Sequence, residues 1–242
     1  MNWKKDLREK DDAVSPVIAL MLILAILATC MAVYTTTYVP GLKQQDEITH
    51  SGEVKLAFER FASDIDNVIA QGKPAVYTEV LELGGGDVPL SPTKSSGTVE
   101  INTTVIGKYK IDSEEKDLTG IEISYLPSFT TWEKQGYLYK KGVVWITKDE
   151  KKTPAMLTLY TVEDGEDREK EILAKWYPAS TEIIPNFSVV EGKSEITGTS
   201  AVKLRLNATL GDDLSSVIVT LNDGTSRTYT NARLLNIEVS VE

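Results

Sequence analysis

The residues able to do chemistry in this chain are 36 carboxylates, a single histidine, His50, and a single cysteine, Cys30. A Ser-His-Asp triad would have to recruit His50, which stands soon after a long apolar run and far in sequence from any strand-borne serine. One thiol and one imidazole cannot supply a Cys/His zinc site or an intrachain disulfide. GxSxG, HExxH, phosphate-loop and EF-hand patterns are all missing from the sequence. Two apposed carboxylates can hydrolyse a glycosidic bond, yet among 36 such groups chance pairs abound and nothing marks one. Glu163-Asp164-Gly165-Glu166-Asp167 offers hard oxygens to calcium, but its charge runs on into Arg168-Glu169-Lys170-Glu171, as in a solvated loop. Gly84-Gly85-Gly86 lacks the Lys-Ser/Thr and helix of a phosphate cradle and reads as a flexible loop. The sequence therefore predicts no enzyme, no metal site and no cofactor.

Modification and binding leave other traces. Asn102-Thr103-Thr104, Asn186-Phe187-Ser188 and Asn207-Ala208-Thr209 are glycosylation sequons, so Asn102, Asn186 and Asn207 are candidate glycan sites on an exported glycoprotein. Trp132, Tyr137, Tyr139, Trp145, Trp176 and Tyr177 would bind sugar or a partner if exposed together; in a sheet their usual fate is core packing. His50 is expected to be a solvated helix residue.

The element that must position all of this is at the amino end. No charged residue occurs from Ala13 to Leu42, and the densest part, Val14 to Val33, has the length that spans about 30 Å of hydrocarbon. A secretory signal has a shorter apolar stretch with a small-x-small site after it. Tyr34 and Tyr38 suit a membrane interface. Before the run, Lys4, Lys5, Arg8 and Lys10 are balanced by Asp6, Glu9, Asp11 and Asp12, so the net charge of −10 resides in the rest of the chain. That charge excludes a phosphate-binding footprint and hence nucleic acid. The basic residues before the helix predict a single-pass protein with a cytoplasmic amino end and an extracellular head.

At the junction the sequence resembles archaeal type IV pilin-like proteins. Their signal is a short charged leader, then a charged and a small residue before the cut, with the apolar helix after it. Asp12-Ala13 matches the cleavage pair, and Val14-Ser15-Pro16-Val17-Ile18 matches the start of the mature chain. The resemblance implies a prepilin-type peptidase as partner, a retained helix, and Val14, Pro16, Val17 and Ile18 at the end that joins other pilin-like subunits. Bacterial pilins usually carry a glutamate at the fifth mature position; here it is Ile18, so docking through that ion pair is not implied. Leu27-Ala28-Thr29-Cys30 resembles a bacterial lipobox, with Thr29 where a smaller residue is normal; a cysteine packed in a helix is the simpler reading.

Pro40-Gly41 predicts a break or kink. Beyond it Val54, Phe58, Phe61, Ile65 and Val68 form an apolar stripe at helical spacing, closed by Gly72-Lys73-Pro74. Alternating runs then appear at 76–83, 99–105, 121–125, 137–146, 157–162, 202–206, 217–221 and 235–241, with turn signals between them. The expected fold is α+β: leader 1–13, transmembrane helix 14–39, amphipathic stalk helix 43–72 and a β-rich head 73–242, antiparallel and sandwich-like. A second β subdomain beginning near Glu182 is a further expectation, from the break that Pro178 and Pro185 bracket. Function follows as a membrane-anchored, pilin-like surface protein of a filament, secretion or adhesion assembly. The alternatives are a non-polymerising anchored protein that binds sugar or a metal ion, and an extracellular carboxylate hydrolase.

Overall fold

The structure, a computed structural model, describes residues 3–85, 88–89, 91, 93–140, 142–149, 151–157, 183–222, 224 and 226–242, without the side chains of 3–15, 157 and 212. Outside it lie the calcium-loop candidate 163–167, Trp176, Tyr177, Pro178, Glu182, Gly86 and the end of the 157–162 run.

Helix α1 (Trp3–Val33) passes through a π-helical turn (Tyr34–Tyr38) straight into α2 (Val39–Gln71), so the rod is continuous where a break at Pro40-Gly41 was expected. The proline acts in a different way. Its ring collides with the carbonyl four residues back in an α-helix and it has no N–H to donate; the preceding turn has widened, with the Val39 N–H donating to the Tyr34 carbonyl. Hydroxyls of Thr35 and Thr36 donate to the carbonyls of Met31, Ala32 and Val33 beside this wide turn. Pro16 likewise lies inside α1 rather than in its first turn. The rod ends where Gly72 takes the left-handed conformation, φ 56°, and donates to the Val68 carbonyl, with Pro74 following.

Ten strands follow: β1 (Ala75–Glu82), β2 (Ser96–Ile111), β3 (Glu114–Ser128), β4 (Gln135–Lys140), β5 (Val143–Lys148), β6 (Lys151–Leu157), β7 (Ile183–Val189), β8 (Glu195–Gly198), β9 (Ala201–Leu221) and β10 (Ser226–Val241). They form one curled sheet, a half-barrel of order β6-β5-β4-β3-β2-β9-β10-β7, with β1 on β9 and β8 on β2. No second sheet is present among the described strands. All pairings are antiparallel except β7 with β10.

Two expectations about strands are corrected. The runs 202–206 and 217–221 are the two ends of one strand, β9, which borders β1 through its first half and β2 through its last. Its middle, Leu210-Gly211-Asp212-Asp213-Leu214, loses the apolar alternation where β9 itself bulges, Gly211 and Asp212 together standing opposite the single Leu234 of β10. The segment 183–189 is no second subdomain: it adds to the same sheet beside β10.

The α2 stripe Val54, Phe58, Phe61, Ile65 and Val68 is buried in the concave face, in one cluster with Leu81, Tyr137, Tyr139, Leu204 and Leu206. The first half of α2 thus belongs to the rod and the second half to the head's core. Phe61→Ala should cost about 3–5 kcal/mol by the cavity it leaves, read as a lowered denaturant midpoint with the slope unchanged.

Candidate functional site

Two features stand out on the rod. The first is bare apolar surface: every residue from Pro16 to Val33 is exposed in the single chain, and among the described residues one helix, Pro16–Gln71, contains a stretch long and apolar enough to cross a membrane. Val17, Ile18 and Pro16 stand at the start of that surface. Asp12, Ala13 and Val14 lie within α1, no more than about one turn before it, their side chains outside the described residues.

The exposed surface does not stop at the π turn. Tyr38, Gly41, Leu42, Gln45, Ile48, Gly52 and Leu56 continue it along the outer side of α2 at helical spacing and without a charge; Ile48 is 44% exposed and Leu56 51%. A methyl group placed on Gly41 or Gly52 would meet nothing within 4 Å. A mid-helix glycine costs about 1 kcal/mol against alanine, and nothing inside this subunit requires Gly52 to be one.

The second feature is a polar collar at the level where the head begins. Glu47, wholly buried, receives the hydroxyl of Ser95, the N–H and hydroxyl of Thr130 (2.8 and 3.1 Å), the N–H and hydroxyl of Thr131 (3.0 and 2.6 Å) and the N–H of Trp132 (2.7 Å). One turn before it, buried Lys43 donates to the Thr93 carbonyl (2.6 Å) and hydroxyl (2.7 Å). One turn after it, His50 Nε2 lies 3.0 Å from the Tyr125 hydroxyl, and Ser51 Oγ 2.9 Å from that of Tyr137. Thr93 and Ser95, ahead of β2, and the loop 129–132 therefore grip one helix face over two turns.

His50 is 4% exposed, against the expectation of a solvated residue. Its surroundings explain why. Gly85 packs on it so closely that an added Cβ would stand 3.0 Å from the His50 Cβ, and Phe129 meets its ring edge-on at 5.9 Å. Gly85 is thus a fitted part of the collar. Gly84 too has no room, since its Cβ would come within 2.3 Å of the Ser95 carbonyl.

Charge in the collar is set by these contacts. Burial alone would raise the Glu47 carboxyl, but the hydrogen bonds from Ser95, Thr130 and Thr131 overcome it and hold the pKa at about 2, against an ordinary 4.5. Burial pushes His50 below its ordinary value, while Glu53, Glu82, Asp46 and the Leu83 main chain pull the other way. Asp66, in the head's half of α2, is pushed up by burial to about 6.

The collar is not arranged for turnover. His50 faces a tyrosine hydroxyl rather than an attacking serine, and Glu47 has its lone pairs committed to main-chain and hydroxyl donors. Among the described residues no group of three or more His, Cys, Asp or Glu side chains could hold a metal. Tyr137 and Tyr139 are buried and Trp145 is half-buried, so these aromatics pack the core instead of lining a sugar platform. Two surface grooves of about 820 and 770 Å³ lie elsewhere, one along Ile146 to Thr153 and one between Gln71 and Arg233.

The sequons are unequal. Asn102 is exposed on β2, its amide donating to Glu100. Asn186 is half-buried and its Oδ1 accepts the N–H and hydroxyl of Thr119, tying β7 to β3. Asn207 is half-buried in β9, paired on one side with Val76 and on the other with Glu238.

No family model, curated protein or solved structure matches the chain.

Two predictions follow from the ionisation of Glu47 and Asp66. Glu47 has its folded pKa below its unfolded one, so its stabilisation is complete above about pH 4.5 and fades as pH falls towards 2. Glu47→Gln should cost about 2–3 kcal/mol at pH 7 and flatten the loss of stability between pH 4.5 and 2 in denaturant titrations. Asp66 has the opposite sign: its folded pKa is raised, so it costs stability as pH rises from 3.8 through 6. Asp66→Asn should gain roughly 1–2 kcal/mol at pH 7 after allowance for solvent screening, and little at pH 3.

Proposed function

We propose that this protein is a membrane-anchored, pilin-like surface subunit whose leader is cut after Ala13 by a prepilin-type peptidase and whose apolar rod then joins copies of itself or other pilin-like subunits. The observation that carries the proposal is the uncharged, exposed face running from Val17 to Leu56. At 1.5 Å per residue it is about 60 Å long, roughly twice the thickness of a bilayer's hydrocarbon. Lipid can cover the first half. The second half, with Ile48, Leu56 and two glycines that leave room for another backbone, calls for a protein partner. The same surface would serve in a filament or in a secretion or adhesion assembly.

The proposed cut also gives Pro16 a reason. In the uncut chain this proline interrupts the interior of α1; with Val14 as the first residue it becomes the third, in a first turn whose N–H groups have no helical partner. The basic residues of the leader keep the amino end cytoplasmic, which puts the acidic head outside the cell. Of the sequons, Asn102 is the one whose side chain is free to carry a glycan without leaving the sheet.

Mass spectrometry of membrane-extracted protein is expected to find a mature amino terminus at Val14 and a chain that retains the apolar helix. Ala13→Arg should leave the leader attached when the peptidase is coexpressed; normal processing of that variant would remove the proposal's first step. Gly52→Leu separates assembly from folding. With open space at the site the isolated subunit should keep its denaturation midpoint, while labelled surface filaments seen by electron microscopy should fall by tenfold or more.

A further inference from the structure

The π turn divides the rod where its surroundings change: residues 16–38 are exposed or half-buried, and Val39 is the first buried one among the described side chains. An α-helix places each residue about 100° further round the axis, and a π turn absorbs roughly one residue more than an α turn. The wide turn Tyr34–Tyr38 therefore rotates the whole of α1 by about one residue's arc, relative to α2, from where an unbroken α-helix would hold it. The collar fixes α2 on the head through Lys43, Glu47, His50 and Ser51. The azimuth of the apolar helix relative to the head is thus decided by the turn alone.

Three local features hold that turn open. Pro40 blocks the α-helical path of the preceding turn; the hydroxyls of Thr35 and Thr36 occupy carbonyls of the turn before; and the rings of Tyr34 and Tyr38 stack, 6.1 Å apart and within 16° of parallel. With that phase, a wheel drawn on ideal geometry brings Leu22, Ile26, Thr29 and Val33 onto the side of Gly41, Ile48 and Gly52. Without it, the side aligned with the two glycines would be that of Ile23 and Leu27.

The geometry points to Pro40 and the π turn as a phase-setting device: together they choose which side of the membrane-length helix is continuous with the outer stripe of α2, and so which side of the rod a partner can use along its full length. This goes beyond assembly as such and holds whether the rod lies among lipids or among copies.

Cys30, the chain's only thiol and exposed on α1, makes the device measurable in the full-length protein in lipid nanodiscs. A spin label on Cys30 is paired with one on Thr103→Cys, on exposed β2, or on Thr78→Cys, on exposed β1, in separate samples. Pro40→Ala is expected to let the turn close to α-helix and to move the distance by several ångströms in at least one pair. Removing Thr36 in the Pro40→Ala background takes out the extra residue and should restore both wild-type distances. Unchanged distances in both pairs for Pro40→Ala, or failure of the Thr36 deletion to restore them, overturns the inference. Neither result depends on polymerisation, so a failed filament assay and a failed phase measurement are distinguishable.

Discussion

A carboxylate taken out of water must have its hydration replaced, and everything about how this head sits on its rod depends on the way Glu47 achieves that. The donors come from Ser95 and from three successive residues, Thr130 to Trp132, 48 to 85 positions away in sequence. Once those bonds form, the loop 129–132 has no freedom to sit elsewhere on the helix, and the neighbouring contacts of Lys43 and His50 fall into register. Charge-assisted bonds of this kind are shorter and stronger than neutral ones, which suits a junction where apolar burial is scarce. Hydrophobic packing takes over only from Val54 onward.

The division explains what could be read from residues alone. The stripe from Val54 to Val68 and the stop at Gly72 were legible because apolar periodicity and a left-handed glycine are local signals. The alternating strands were legible for the same reason, as at 76–83 and 235–241. The collar was not. Glu47, His50 and Ser95 are polar, their partners are remote, and no spacing rule links a helix carboxylate to a loop of threonines. Helical periodicity alone leaves His50 solvated, because it has no term for a head that reaches back along the helix. Pro40 was recognised as a disturbance, but whether a proline bends a helix or widens its preceding turn depends on what holds the two sides in line, here the collar on one side and the threonine hydroxyls on the other.

The sheet shows a similar limit. From sequence β9 reads as two strands because its middle lacks alternation; its continuity comes from β10, which pairs with it on both sides of the β9 bulge at Gly211 and Asp212. The placement of 183–189 beside β10 rather than in a separate unit rests on a parallel ladder and on Asn186 bonding to Thr119 of β3, both relations between distant parts of the chain. Side-chain burial is assigned by type only in part: many large aliphatics and aromatics of the runs are in one core, whereas Val76, Val80, Val105 and Ile218 of the same runs are exposed.

The collar also has a mechanical meaning. A pull along the rod would strain the bonds at Lys43, Glu47, His50 and Ser51 sideways and together instead of peeling them one after another, because all four lie along the direction of tension. Resistance to such a load is governed by how fast the junction ruptures, not by its equilibrium free energy, so a modest set of polar contacts in parallel shear can outlast a larger greasy patch that unzips.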